Sequence, residues 1–277
     1  MSDSAHKAFA NVVARPEPEL DLGRAALLIA RAEYPTLDVE HYLGRLDAMA
    51  ASVAPEVTWE TEPMRRVAVL SRFLFVTEGF RGNGEQYYDP RNSFLNDVLD
   101  RKLGIPITLS IVYMELARRL RLPVVGVGFP GHFLVKYVMD DGEILLDPFH
   151  RGAILTPADC RRRLKEMTDG SVAFQPDHLR SVTKRQILSR MLSNLKHIYL
   201  RARNLPKAMQ VMDLMLVVSP EDPVEVRDRG LLLSQAGRLG AALRDLERYL
   251  ALAPKAEDAD SIKDHMAGIR RRMASMN

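Results

Sequence analysis

Displaced by 34 positions, the last third of the chain overlays on itself: Ala208 falls on Ala242, Leu205 on Leu239, Met212 on Leu246, Leu216 on Leu250 and Pro220 on Pro254. Tyr199 falls on Leu233. A fixed period of this kind means one supersecondary unit repeated. Such a unit cannot bury its apolar face alone, so neighbours must stack. A unit of this length holds two antiparallel helices. The small Ala sits where the two helices approach closely, and the proline ends the second helix. The segment from about Met191 onward is therefore expected to be all-helical. A last helix, Asp258 to Met273, is placed to cover the final apolar face.

This is the period of tetratricopeptide repeats. The tryptophan usual in such repeats is absent, with Leu192 and Val226 in its place, so the pair is diverged. From Ser181 onward there are 17 Lys and Arg against 11 Asp and Glu, whereas the whole chain carries only +3. A basic region can meet nucleic acid. Here the charges alternate in sign along helix faces, as they do on solvated helices. A protein or peptide is the expected partner, because stacked helix pairs present an extended concave surface.

A chain of 277 residues suggests two domains. We expect a loose tail over residues 1–18, a helical region with a mixed core over 19–180, and the repeats over 181–277. Asp21 precedes the apolar run Ala25–Ala30, and Pro35 closes it. Asp38 can cap a second helix with Tyr42, Leu43, Leu46 and Met49 at helical spacing. Pro63 opens a third helix through Val76; Gly79 to Tyr88 reads as a loop, and Ser93 to Lys102 as a fourth helix. After Gly104-Ile105-Pro106 comes Ile107–Leu120, apolar on most faces and so central and buried. Three β segments follow: Val124–Phe129, Phe133–Val138 and Ile144–Leu146. Asp140-Asp141-Gly142 joins the last two as a hairpin signal. Pro157 to Glu166 is another short helix. No apolar run reaches the ~18 residues of a membrane span. Met1 to Leu20 carries no export signal, and Cys160, the single cysteine, excludes an internal disulfide. Cytoplasmic residence is the expectation.

The β segments carry the candidate chemistry. His132 starts one strand and Asp147 ends the next. An imidazole that accepts a proton, with a carboxylate that fixes its tautomer, is two-thirds of a nucleophilic triad. The same pair also fits a half-buried histidine bonded to a carbonyl and a turn carboxylate before Pro148. The nucleophile is less clear. Cys160 lies beside Arg161, Arg162 and Arg163, which could lower its pKa, but a lone helical cysteine is usually a packing residue. Thr108 and Ser110, near the start of the buried helix, are weaker candidates that also suit capping and packing. His150 stands near Asp147, yet the remaining histidines are scattered and no metal-ligand spacing appears. No nucleotide-binding motif is present, so neither metal nor cofactor is expected.

Taken together, Gly104-Ile-Pro-Ile-Thr-Leu-Ser, Pro130-Gly-His-Phe-Leu-Val and Leu146-Asp-Pro-Phe resemble the variant transglutaminase-like core of the bacterial SirB-one family. The resemblance extends to Tyr34-Pro-Thr-Leu-Asp-Val and covers roughly residues 20–275. It implies an α+β fold: N-terminal helices, a transglutaminase- or papain-like core with a central helix on a small antiparallel sheet, then tetratricopeptide helices. It also implies a cysteine at the start of the central helix, facing His132 and Asp147. Counting back from Leu122-Pro123, that position falls on Pro106 to Thr108, where there is no cysteine. The expected function is a degenerate, non-catalytic core that binds a protein or peptide. The alternative is a hydrolase or acyl-transferase using His132 and Asp147 with Ser110, Thr108 or water.

Overall fold

The structure is a computed structural model that describes residues 3–58 and 62–275. It divides into two compact units, with the boundary after Met191.

The first unit begins with a helix, α1 (Asp3–Val13), where the sequence leads us to expect a loose tail. Ala5, Phe9 and Val13 recur every fourth residue and are buried, and α1 packs on α2 (Leu22–Ala30). Burial of that one stripe offsets the weak local propensity. Met1 and Ser2 of the expected tail lie outside the described residues. Asp21 caps α2 by accepting from the Arg24 N–H, and Asp38 caps α3 (Val39–Val53) by accepting from the His41 N–H. Pro63 is the first residue of α4 (Pro63–Arg72), which continues into a π-helical turn, Phe73–Thr77. Two residues of the expected loop, β1 (Arg81–Gly82), pair in parallel with β2 (Leu103–Gly104), which follows α5 (Leu95–Arg101). Then α6 (Pro106–Arg119) runs through the centre, with every residue from Pro106 to Ala117 buried.

Four antiparallel strands follow in the order β3 (Val124–Val127), β4 (Leu134–Met139), β5 (Gly142–Asp147) and β6 (Ala153–Leu155). Met139 pairs with Gly142, so Asp140 and Asp141 alone form the hairpin loop. Strand alternation sorts the residues onto two faces. Val135 and Leu146 pair on one face with Tyr137 beside them, and α6 packs against this sheet. Val127, Leu134, Leu145 and Leu155 share the other, where they cluster with Cys160 and Leu164 of α7 (Pro157–Met167). By parity Asp147 belongs with Leu145, on the α7 side. The structure thus places a three-residue strand and a second covering helix around the residues that matter.

The helix α8 (Lys184–Arg201) contains the boundary between the units. The second unit holds α9 (Leu205–Val218), α10 (Pro223–Gln235), α11 (Leu239–Leu252) and α12 (Ala259–Ala274). Ala208 and Ala242 are both fully buried, as the repeat requires, and Ile262, Met266 and Ile269 of α12 close the apolar cluster of α10 and α11. A close approach is marked by Gly230 of α10, where an added Cβ would lie 2.9 Å from Leu246 Cδ2 and 3.2 Å from Asp245 Cβ. Gly230→Leu is expected to overpack this contact at a cost of about 1–3 kcal/mol, measured as a lower midpoint of urea unfolding. A midpoint at or above that of the wild type would show that the contact is loose. Among the described residues no helix is long and apolar enough to cross a membrane.

Candidate functional site

The turn between β3 and β4 presents His132, and its backbone explains why. Gly131 has φ of +69°, a left-handed conformation that disfavours a side chain, and a Cβ there would also come within 2.7 Å of Met167 Cε. The turn is held from outside by Arg190 of α8, whose Nη2 donates to the carbonyl oxygens of Phe129 (3.0 Å) and His132 (2.6 Å). Its guanidinium lies over the Phe133 ring.

His132 and Asp147 are brought together: His132 Nε2 lies 2.9 Å from Asp147 Oδ1. Asp147 has no exposed surface and is saturated with donors. The backbone N–H groups of Phe149 and His150 donate to Oδ1 at 3.1 and 3.3 Å, making Asp147 the cap of the short turn Pro148–His150. His150 Nδ1 stands 2.7 Å from Oδ2, and Arg163 of α7 also donates to Oδ2 through Nη1. Burial alone would raise the Asp147 pKa; the hydrogen bonds and charges of His132 and His150 outweigh it and hold the carboxyl well below the usual carboxylate range. The two imidazoles stand 5.7 Å apart, and the Phe149 ring meets each of them edge-on.

The expected hydroxyls are elsewhere in the bonding pattern. Thr108 Oγ1 accepts from the Ile105 N–H at 3.1 Å and donates to the Asn92 carbonyl at 2.7 Å, so it is a cap. Ser110 is completely buried, and its Oγ has no hydrogen-bond partner among the described residues. Neither hydroxyl bonds to His132. A cleft of about 260 Å³ does open beside the imidazole, on the α7 side of the sheet. Phe129, Leu134, Leu155 and Met167 form its apolar wall, and His132, His150 and Arg163 its polar one. Cys160 and Glu166 line it as well. Burial pushes the Cys160 thiol up to about 11, against the pull of Arg163, so it is protonated near neutral pH.

His132, Asp147 and His150 are also a set of possible metal ligands, their donor atoms lying within 4.8 Å of one another. The guanidinium of Arg163 intrudes on that set. It bonds Asp147 Oδ2 and lies 3.5 Å from His150 Nδ1, so a fixed cation already neutralises the carboxylate a metal would use. The sequence does not reveal Arg163 in this role. It sits sixteen positions after Asp147, and only the packing of α7 on the sheet joins them.

Comparison with known proteins agrees with this architecture. Residues 40–193 match the model of the transglutaminase-like superfamily, and residues 195–267 match a tetratricopeptide repeat model. A UPF0162 protein of Xylella fastidiosa (strain Temecula1) is 38% identical over 269 residues, spanning 94% of this chain and 93% of its own. A UPF0162 protein of Vibrio cholerae is 29% identical, covering 88% and 90% of the two chains. The UPF0162 protein YchA of Escherichia coli K12 is 26% identical over 86% and 88%. A core matched over more than half the chain and relatives matched almost end to end place this chain in the transglutaminase-like superfamily, among the UPF0162 proteins.

Proposed function

We propose that the chain is a non-catalytic transglutaminase-like protein of the SirB-one kind that binds a protein or peptide partner in the cytoplasm, through the cleft of its core and the face of its repeats. One observation carries the reading: among the described residues the His132–Asp147 pair has no activated nucleophile beside it. Thr108 spends its hydroxyl on a cap, Ser110 has no base within hydrogen-bond reach, and the Cys160 thiol is held protonated. Loss of the nucleophile from such a unit removes most of the rate, so the groups that persist serve better to hold a ligand than to turn one over. Tetratricopeptide helices supply a second binding surface of the kind that accepts an extended chain.

A panel of amide, ester and transamidation substrates is expected to give no turnover that His132→Ala abolishes. Turnover lost in that variant would overturn the reading in favour of a hydrolase using His132 and water. Peptides selected from a displayed random library are expected to bind the wild type and to lose affinity on His132→Ala. The same substitution is expected to cost about 1–3 kcal/mol of stability, because the ring is mostly buried and bonded to Asp147. A loss outside that range in urea unfolding would show that the hydrogen bond is worth less, or more, than a buried imidazole–carboxylate contact.

A further inference from the structure

We propose that the cleft beside α7 takes an apolar monocarboxylate, and that in the peptide-binding role this is the C-terminal residue of a chain ending in an aliphatic side chain. The proposal rests on the peptide-binding reading and narrows it to one ligand group.

Arg163 leaves most of its donors unused. Its guanidinium has five N–H donors in a planar fork. Only Nη1 is engaged, by Asp147 and at 3.5 Å by His150; Nη2 and Nε have no partner among the described residues. A side-on fork of this kind matches the two oxygens of a carboxylate. The arginine cannot swing away to serve another group, because Asp147 anchors it from a fully buried position. His150, about half exposed, lines the cleft and uses Nδ1 on Asp147, and its Nε2 has no partner among the described residues.

The charge balance then selects among anions. Asp147 cancels one positive charge, and the exposed Glu166, one turn on from Arg163 in α7, adds a negative one to the lining. Arg163 and the two carboxylates leave the cleft slightly negative, so repulsion scales with the charge of the ligand: a dianion such as phosphate is disfavoured more than a monoanion, which can still take the free fork of Arg163. The opposite wall fixes the rest of the ligand. Phe129, Leu134 and Leu155 offer no polar side-chain atom, so the carboxylate must carry an apolar group. At about 260 Å³ the cleft is smaller than the ~300–1,000 Å³ of sites that enclose drug-sized molecules. It suits one residue, with the remainder of the chain leaving past the exposed Met167.

The test is calorimetric titration of the full chain with three probes: a hexapeptide ending in leucine, the same peptide as its C-terminal amide, and free isovalerate. The acid peptide is expected to bind roughly ten- to a hundredfold more tightly than the amide, the difference of one charge-assisted hydrogen-bonded contact. Isovalerate binding alone would assign the site to a free acid, and equal binding of acid and amide would overturn the carboxylate. Arg163→Gln should abolish the preference for the acid. Because that variant also unbalances Asp147, Glu166→Gln gives a second reading at an exposed position: it is expected to tighten the acid peptide severalfold and leave the amide unchanged. If Zn²⁺ binds instead, with loss on His150→Ala, the cluster is a metal site and the proposal fails. If none of the three probes binds while library peptides still bind in a His132-dependent way, this inference falls and the broader reading stands.

Discussion

Asp147→Ala is expected to cost about 3–5 kcal/mol, enough to consume a large part of the stability of an ordinary domain. The magnitude follows from what the carboxylate balances. It is fully buried, and it joins two imidazoles, one guanidinium and two backbone N–H groups. Removing it leaves Arg163 partly buried without a counter-charge and uncaps the turn Pro148–His150. Asp147→Asn separates the two contributions: an amide oxygen can still accept from the Phe149 and His150 N–H groups, so about 1 kcal/mol of capping should survive. Hydrogen exchange of the β4 and β5 amides reads the loss within the first unit. Protection that changes by less than 1 kcal/mol in Asp147→Ala would show the network to be solvated and slack.

The same carboxylate fixes a pH dependence. Its folded pKa is depressed by the hydrogen bonds and charges of His132 and His150, which outweigh the effect of burial. A depressed carboxylate contributes stability that is fully present above its unfolded value, about 3.9, and is lost as pH falls toward the folded value. Asp147 itself therefore contributes no change above that value, and its contribution is lost only in strong acid.

Much of the architecture could be read from local chemistry. Asp21, Asp38 and Pro63 mark helix starts because capping and a fixed proline φ act within one turn of chain. The two-residue hairpin at Asp140-Asp141 is likewise local, and it folds β5, which ends at Asp147, back along β4; His132, expected to start that strand, lies instead in the turn just before it. What escaped depends on distant partners. Helix α1 buries Ala5, Phe9 and Val13 along one stripe among its described side chains, too sparse a pattern to stand without α2. The pair β1–β2 is two residues long and joins segments 22 residues apart, Arg81 with Leu103 and Gly82 with Gly104, so no local pattern announces it. Arg163 was visible only as a neighbour of Cys160 on an arginine-rich helix. That it turns toward Asp147 is decided by the parity of β5 and by Cys160 and Leu164 anchoring α7 to the sheet. That Pro106 to Thr108 contain no cysteine is legible, since it is an absence in the sequence. Thr108's use as a cap was one of two open readings.

Lys196→Ala is the second large loss, about 3–5 kcal/mol, and it reports on the repeats alone. The ammonium is only 8% exposed and lies 2.7 and 2.8 Å from the two oxygens of Glu225, itself 12% exposed, linking α8 to α10. Asp228 stands 3.4 Å away but has its own partner, Arg227, at 2.9 Å. Truncating the lysine therefore orphans Glu225 and not Asp228. Because each helix pair in a repeat array is stabilised by its neighbours, the loss should spread along α10 as weaker hydrogen-exchange protection. Removing both charges tests the reason. Lys196→Met with Glu225→Leu exchanges the pair for apolar groups, and buried ion pairs treated so are often neutral or more stable. The double variant is expected to recover to within about 1 kcal/mol of the wild type, giving a coupling energy of at least 2 kcal/mol in the cycle. A single-variant loss below 1 kcal/mol would place the pair with exposed surface bridges, which contribute little.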